Sequence, residues 1–247
     1  MSHTGSSEKP RAAVVVAAAG RGERLGDGAN KVLLPLNGSP IIAHTLRIFQ
    51  DHPAIGRICL VTREAELEAM AAALGNHGRW DKLLPLVAGG RERQDSVANG
   101  LATLERDPPR WVLVHDGARP LCSPGLLERV LNALADHRAV VPGLPIHDTV
   151  RRKSGKNAGV VEREELLRCQ TPQGFHWEVL AGAHRHARAE KLWGTDEAQL
   201  VEAVGEPLFF VEGEARNLKI TTPQDLALAE WLALTPGWGA AETPAQP

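Results

Sequence analysis

The residues able to do chemistry in this chain sit just after short apolar runs. The first cluster, Ala18-Ala19-Gly20-Arg21-Gly22-Glu23-Arg24-Leu25-Gly26, follows a valine-rich run and leads to Asn30-Lys31. A glycine-rich turn after a strand brings backbone N–H groups close to phosphate oxygens. Two common nucleotide signatures fail here. The dinucleotide pattern needs Gly or Ala where this chain has Leu25, and Thr62-Arg63, not an acid, follows the second apolar run. No Gly-Lys-Ser/Thr of a phosphate-binding P-loop exists. What remains is Arg21, Arg24 and Lys31, three cations in one loop, which suit a triphosphate better than a pyrophosphate diester. The plainer alternative is a strand-to-helix turn with solvated charges.

His115-Asp116-Gly117-Ala118-Arg119-Pro120 closes another apolar run. An acid there faces a ligand cleft, where Asp116 could hold Mg²⁺ or a substrate hydroxyl and Arg119 could grip a phosphate as a rigid fork. The alternative is an Asp capping a turn with Arg119 as its ion pair. Gly89-Gly90, followed by Arg91 to Ser96, offers bare backbone and a helix start, suited to a base or ribose; a loop capped by Asp95 is the alternative. Thr195-Asp196-Glu197 and Thr222-Pro223 resemble helix caps. Thr171-Pro172-Gln173 is less easily explained by capping, and Lys219 is the one cation in Asn217 to Thr221. His184 and His186 do not share a helix face, which argues against a metal site. The six tryptophans are scattered and form no stacking stripe for single-stranded nucleic acid.

These positions need a framework, and the apolar pattern supplies one. Strands are expected at Val14 to Ala18, Arg57 to Val61, Leu83 to Val87, Trp111 to Val114 and Ala139 to Val141. Helices are expected at Ser39-Pro40 to Gln50, Glu64 to Leu74, Asp95 to Leu104 and Ser123-Pro124 to Asp136. Uniformly apolar strands separated by helices mean a mostly parallel sheet covered on both faces, with ligands beyond the carboxyl ends of its strands. The rhythm breaks after Pro142. A polar hairpin is expected, Asp148 to Lys153 returning at Val160 to Glu162, and such a hairpin cannot stand alone. Helices near Phe175 to Glu190 and Thr195 to Val204, a strand at Leu208 to Val211 and a capped helix from Thr222 to Leu234 complete the reading.

Composition narrows the classes. The formal charge of −2 over 247 residues argues against duplex nucleic acid as the main partner. With 43% hydrophobic and 23% charged residues the chain is globular. Apolar stretches such as Ala12 to Ala19 are far shorter than the ~18 residues of a membrane helix, so no membrane role is expected. Met1 to Pro10 lacks the apolar core of a secretory signal. The three dispersed cysteines argue against a disulfide framework and for a reducing, cytoplasmic location.

Taken in order, the glycine loop with Arg24 and Lys31, Gly89-Gly90 with Ser96, His115 to Pro120, Thr171-Pro172-Gln173, Thr195 to Ala198 and Asn217-Leu218-Lys219 resemble the 2-C-methyl-D-erythritol 4-phosphate cytidylyltransferases of the non-mevalonate isoprenoid pathway. The resemblance spans about Ala12 to Leu234. It implies an α/β fold: one Rossmann-like nucleotidyltransferase domain over 11–235, with a protruding β-hairpin arm at 146–168 that makes a homodimer, between flexible tails 1–10 and 236–247. It implies cytidylyl transfer from CTP to methylerythritol phosphate with Mg²⁺ or another divalent ion. Arg24, Lys31 and Lys219 would be catalytic. Asp116, Arg119, Arg163, Thr171 and Thr195 would bind the acceptor, Arg163 and Thr171 in a neighbour's site. Ala18, Ala19, Gly20, Gly22, Gly89, Gly90 and Ser96 would hold CTP. Asp116 would be the metal's protein ligand, with the ion held mainly by the CTP phosphates.

Two departures stand out. Many relatives have Pro where this chain has Asn30, and Ala where it has Gly117; Asp27-Gly28-Ala29 is expected to loosen the loop. The nearest rival is ribitol-5-phosphate cytidylyltransferase, whose members usually begin the loop Ala-Gly-Gly and lack an arginine eight residues before Thr-Pro-Gln; here Arg163 occupies that place. Sugar-1-phosphate nucleotidyltransferases resemble only the first loop. An inactive nucleotide-binding regulatory domain would be expected to have lost one of Lys31, Asp116, Arg163 and Lys219, and all four are present.

Overall fold

A computed structural model describes residues 12–20, 30–154 and 157–235. Its centre is β1 (Ala12–Ala17), whose side chains alternate between two cores. A short hairpin follows, β2 (Pro35–Leu36) and β3 (Ser39–Pro40), turning at Asn37 and Gly38. Both turn residues have positive φ, 47° and 85°, the conformation that tight hairpins use. That pairing commits Ser39-Pro40 to a strand, so the expected serine cap is not formed and α1 (Ile41–Asp51) starts one residue later. Next come β4 (Ile55–Thr62), a single 3₁₀ turn at Glu64–Glu66, α2 (Leu67–Gly75), β5 (Val87–Ala88) and α3 (Arg93–Ala102). The expected third strand from Leu83 shrinks to β5, with Leu83 making only an isolated bridge to Ile58.

β6 (Trp111–Asp116) is buried along its whole length, and α4 (Pro124–Ala133) begins at the expected Ser123 cap, whose hydroxyl accepts from the Leu126 N–H. β7 (Ala139–Pro145) leads to the hairpin β8 (Val150–Ser154) and β9 (Asn157–Val161), which among the described residues pair only with each other. The chain then re-enters the sheet through β10 (Leu167–Cys169), so the last two residues of the expected arm already belong to the body. β11 (Gln173–His176) precedes α5 (Trp177–Glu190), then α6 (Glu197–Ala203), β12 (Phe209–Glu212) and α7 (Pro223–Ala233). Thr222 and Asp225 cap α7 reciprocally.

The sheet runs β10-β7-β11-β6-β1-β4-β5, with β12 also on β7. The β6-β1-β4-β5 half is parallel, as expected. β10 and β11 are antiparallel insertions that the apolar pattern does not reveal. Phe175, expected in a helix, lies in β11. Gln173-Gly174-Phe175-His176 lacks an apolar run because α4 crosses it closely. A Cβ on Gly174 would stand 2.7 Å from Val130 and 2.8 Å from Leu134. Alternation along β1 and β4 sends Val14, Val16, Ile58 and Leu60 toward α1, α2 and α4, and Ala13, Val15, Cys59 and Val61 toward α3 and α5. Among the described residues no helix is long and apolar enough to cross a membrane.

Candidate active site

Strand register brings the chemistry together. Ala17 of β1 pairs with Asp116 of β6, and Thr62 of β4 with Ala88 of β5. The ladders continue one residue further: Ala18 N–H to Val61 O at 2.8 Å, Gly89 N–H to Thr62 O at 2.7 Å, and Gly117 N–H to Ala17 O at 2.9 Å. Three loops thus leave the sheet at one level, at the carboxyl ends of parallel strands. They frame a cleft of about 950 Å³ lined by Ala18, Ala19, Gly20, Lys31, Gly90, Ser96, Asp116 and Lys219.

Asp116 is the centre of this cleft. Its carboxylate lies 3.0 Å from Lys219 Nζ, 3.2 Å from Arg119 Nε and 3.5 Å from Arg93 Nε. Burial alone would raise its pKa, but Lys219, Arg93 and Arg119 outweigh it and hold the carboxyl well below the usual range. The ion pair with Arg119, the plainer alternative in the sequence, is therefore present, and its Asp116 end lines the cleft. Arg93 is held from behind by Glu197, both of whose carboxylate oxygens lie 2.8 Å from its Nη1.

A buried frame sets this cluster. His115 Nε2 lies 3.2 Å from the Arg119 carbonyl, which can only accept, so Nε2 carries the proton and Nδ1 is an acceptor. The Thr171 hydroxyl, 3.0 Å from Nδ1, donates to it while accepting the Asp116 N–H at 3.0 Å. Burial holds the His115 pKa down to about 4, so the imidazole stays neutral. Lys219 is placed by Asn217. Its amide donates to Thr171 O at 2.8 Å, and its carbonyl accepts from Arg119 Nη1 at 2.7 Å. Ile220 N–H reaches Ala118 O at 2.9 Å. At the opposite wall Asn30 Nδ2 donates to Ala18 O and to Glu66, both at 2.7 Å, and its Oδ1 caps the turn that carries Lys31. Asn30 thus anchors the turn that carries Lys31 by side-chain hydrogen bonds.

A sequence model of the 2-C-methyl-D-erythritol 4-phosphate cytidylyltransferase family matches residues 12–234. The chain belongs to that family. It is 40% identical over 225 residues to the enzyme of that name from Syntrophotalea carbinolica, covering 91% of this chain and 97% of that protein. It is 39% identical to the Bacillus licheniformis enzyme, covering 88% and 93%. The crystal structure of the Thermus thermophilus enzyme superposes with a TM-score of 0.74 at 38% identity, covering 90% and 98%. The chain is a nucleotidyltransferase that transfers the cytidylyl group of CTP to methylerythritol phosphate, in isoprenoid precursor biosynthesis.

Within this cytidylyltransferase fold the expected residues fall into three groups. Lys31, Asp116, Lys219, Ala18, Ala19, Gly20, Gly90 and Ser96 line the cleft, and Arg119 stands behind it on Asp116. Gly89 borders it, and Gly90 N–H donates to Ser96 Oγ at 3.1 Å. Arg24, Gly22 and the Asp27-Gly28-Ala29 stretch lie outside the described residues. Thr171, Thr195 and Arg163 stand apart from the cleft lining. The buried Thr171 hydroxyl is engaged by His115 and Asp116. Thr195 is exposed and bonds Gln199, while Asp196 is the cap of α6. Arg163, at the base of the hairpin, bonds the His147 carbonyl and Glu164.

Arg93, Glu197 and Gln170 were not singled out from the sequence. Gln170 donates to Glu214 O at 2.8 Å and accepts its N–H at 2.9 Å, fastening the segment that leads to Lys219. Their partners are 44 and 104 residues away, so no local signal marked them.

Among the described residues no group of three or more His, Cys, Asp or Glu side chains is arranged as a metal cage. Asp116 and Glu92 are the carboxylates that line the cleft among the described residues, and so sparse a set fits only an ion that arrives with the nucleotide and takes most ligands from its phosphates.

Proposed function

We propose that this cleft performs in-line transfer by aligning charges, without a general base. The observation that carries the reading is the Asp116 carboxylate within 3.0–3.5 Å of three cationic side chains, in the cleft that Lys31 also lines. A phosphate oxygen of methylerythritol phosphate attacks the α-phosphorus of CTP. The bond to the bridging oxygen of the β-phosphate breaks, and pyrophosphate leaves with the electron pair. The nucleophile is a phosphomonoester with a second pKa of about 6, already ionised at neutral pH. The difficulty is repulsion between polyanions, about 4 kcal/mol for each pair of unit charges at ~4 Å and an effective dielectric near 20.

Lys31 and Arg24 hold the triphosphate, and Lys219 meets the α-phosphate. Asp116 accepts from the acceptor's hydroxyls while Arg119 fixes it in place. Ala18, Ala19, Gly20 and Gly22 of the glycine loop, with Gly89, Gly90 and Ser96, hold CTP and read its cytosine largely through backbone groups. When bound, Mg²⁺ neutralises phosphate charge, and Asp116 would be its protein ligand. Thr195 borders the acceptor side, and Thr171 acts from behind Asp116 by holding its backbone N–H. Catalysis is then positioning plus charge stabilisation.

Among the described residues the hairpin β8–β9 pairs with no other strand, and Val160 on it is 63% exposed. A hairpin with an apolar side chain so exposed suits an intersubunit arm, and Arg163 at its base would serve a partner's cleft in a homodimer. The domain is taken as 11–235, with the arm starting at 146. The free cysteines Cys59, Cys122 and Cys169 suit the reducing cytoplasm.

The test is pyrophosphate release from CTP and Mg²⁺ with methylerythritol 4-phosphate, and with ribitol 5-phosphate as the parallel acceptor. Turnover with the methylerythritol substrate alone is expected. Turnover with ribitol alone would overturn the acceptor assignment.

A further inference from the structure

We propose that Glu197 is a positioning residue for the transfer reaction: through Arg93 it sets the Asp116 carboxylate and ties the acceptor-side loop 192–197 to the nucleotide-side segment 89–96. The inference rests on the reading of the cleft given above.

Glu197 opens α6 and is 1% exposed. Its neighbours Ala198, Leu200 and Val201 are buried too. A carboxylate in such surroundings is costly unless paired, and a buried ion pair stabilises a fold less well than apolar packing of similar volume. The pair's use lies in where its cation points. The guanidinium of Arg93 has Nη1 on Glu197 at 2.8 Å and Nε toward Asp116 at 3.5 Å. One planar group therefore spans two carboxylates, and the shorter contact decides its orientation. Burial pushes the Glu197 pKa up and Arg93 pulls it back in part, so the two groups depend on each other's charge.

The neighbouring residue makes a second tie between the same two segments. Gln94 donates to Leu192 O at 3.1 Å and accepts the Gly194 N–H at 3.0 Å. A third tie comes from Gln173, which donates to Asp196 at 2.8 Å and accepts the Ala198 N–H at 3.2 Å. The start of α3, the start of α6 and the Thr171-Pro172-Gln173 turn are thus one framework around Asp116, and Glu197 is its charged member. Removing the Glu197 charge frees Arg93 to close on Asp116, which draws that carboxylate away from the acceptor's hydroxyls.

The experiment compares wild type, Glu197→Gln, Arg93→Gln and the double variant by steady-state kinetics with CTP, Mg²⁺ and methylerythritol 4-phosphate. In Glu197→Gln the KM for the acceptor should rise about tenfold with a fall in kcat, while the KM for CTP changes less than about twofold. Glu197→Asp, which keeps the charge but withdraws it by one methylene, should recover part of the loss. In the Arg93→Gln background the further Glu197→Gln change should have no effect on acceptor KM, because Glu197 acts through Arg93. Should Glu197→Gln not fold, Glu197→Asp carries the comparison: its acceptor KM should rise by a smaller factor with the KM for CTP unchanged, and wild-type kinetics with only a lowered Tm would overturn the proposal. Wild-type kinetics in Glu197→Gln with only a lowered Tm would overturn the proposal, as would independent, multiplying effects of the two substitutions. A wild-type protein silent with CTP and acceptor would overturn the reading of the cleft itself.

Discussion

Thr171→Val separates two roles for one hydroxyl. The resemblance implies that Thr171 binds the acceptor directly, whereas the structure makes it a strut between His115 and Asp116. Valine has the same shape, so no cavity opens. The change leaves the Asp116 N–H and the His115 Nδ1 without their partner at 3.0 Å. Both residues are buried, His115 fully and Asp116 to 7% exposure. Each unsatisfied buried group costs about 1–3 kcal/mol, so the loss is about 2–6 kcal/mol. For a chain of this size about 2–4 °C of Tm accompanies each kcal/mol, so Tm should fall by at least about 4 °C. Because the same bond holds the backbone of Asp116, kcat should fall as well. Thr171→Ser restores the hydroxyl and should recover most of both. Scanning calorimetry and pyrophosphate release measure the two effects on one preparation. An unchanged Tm with a raised acceptor KM would refute the strut and return the hydroxyl to the substrate.

The remaining expectations concern charge, backbone space, assembly and pH. Lys31→Ala should lower kcat about 100-fold with a smaller change in the KM for CTP, because its charge meets charge that grows during transfer; stopped-flow turnover checks this. Gly90→Ala should raise the KM for CTP about tenfold: a Cβ there would stand 2.3 Å from Asp95 Cβ, displacing the capped first turn of α3 and the Gly90–Ser96 bond. Equal mixtures of refolded Arg163→Ala and Asp116→Asn subunits should recover about a quarter of wild-type activity if Arg163 serves the partner's site, and none if it serves its own. Burial holds both His115 and His184 down to about 4, whereas an unfolded chain protonates them below about 6.5. Their folded pKa values are depressed, so the unfolded state binds more protons between those limits. Stability should therefore be complete above pH 6.5 and decline as pH falls toward 4. His184→Leu, which removes a ring whose buried Nε2 has no hydrogen-bond partner among the described residues, should flatten that decline in urea titrations without loss at pH 7.

The sequence carried everything that depends on local pattern. Uniformly apolar runs gave the parallel half of the sheet, because strands covered on both faces exclude polar side chains. Residues just after those runs gave the cleft, because ligands of such sheets bind beyond the strands' carboxyl ends. Lys31, Asp116, Arg119, Gly90 and Ser96 were legible in this way, Lys219 only through the family resemblance, and the Ser123 and Thr222 caps followed from side-chain chemistry at helix starts. Tertiary contact decided what pattern could not. β11 is a central strand without an apolar run, since Gly174 makes room for α4. Ser39-Pro40 became a strand because the Asn37-Gly38 turn pairs it with Pro35-Leu36. Thr171 became a strut and Glu197 a buried counter-charge because their partners come from strands and helices 55 and 104 residues away. Local spacing reports which face a side chain lies on, but a hydrogen bond or ion pair depends on where a distant segment arrives, and only the packed sheet sets that.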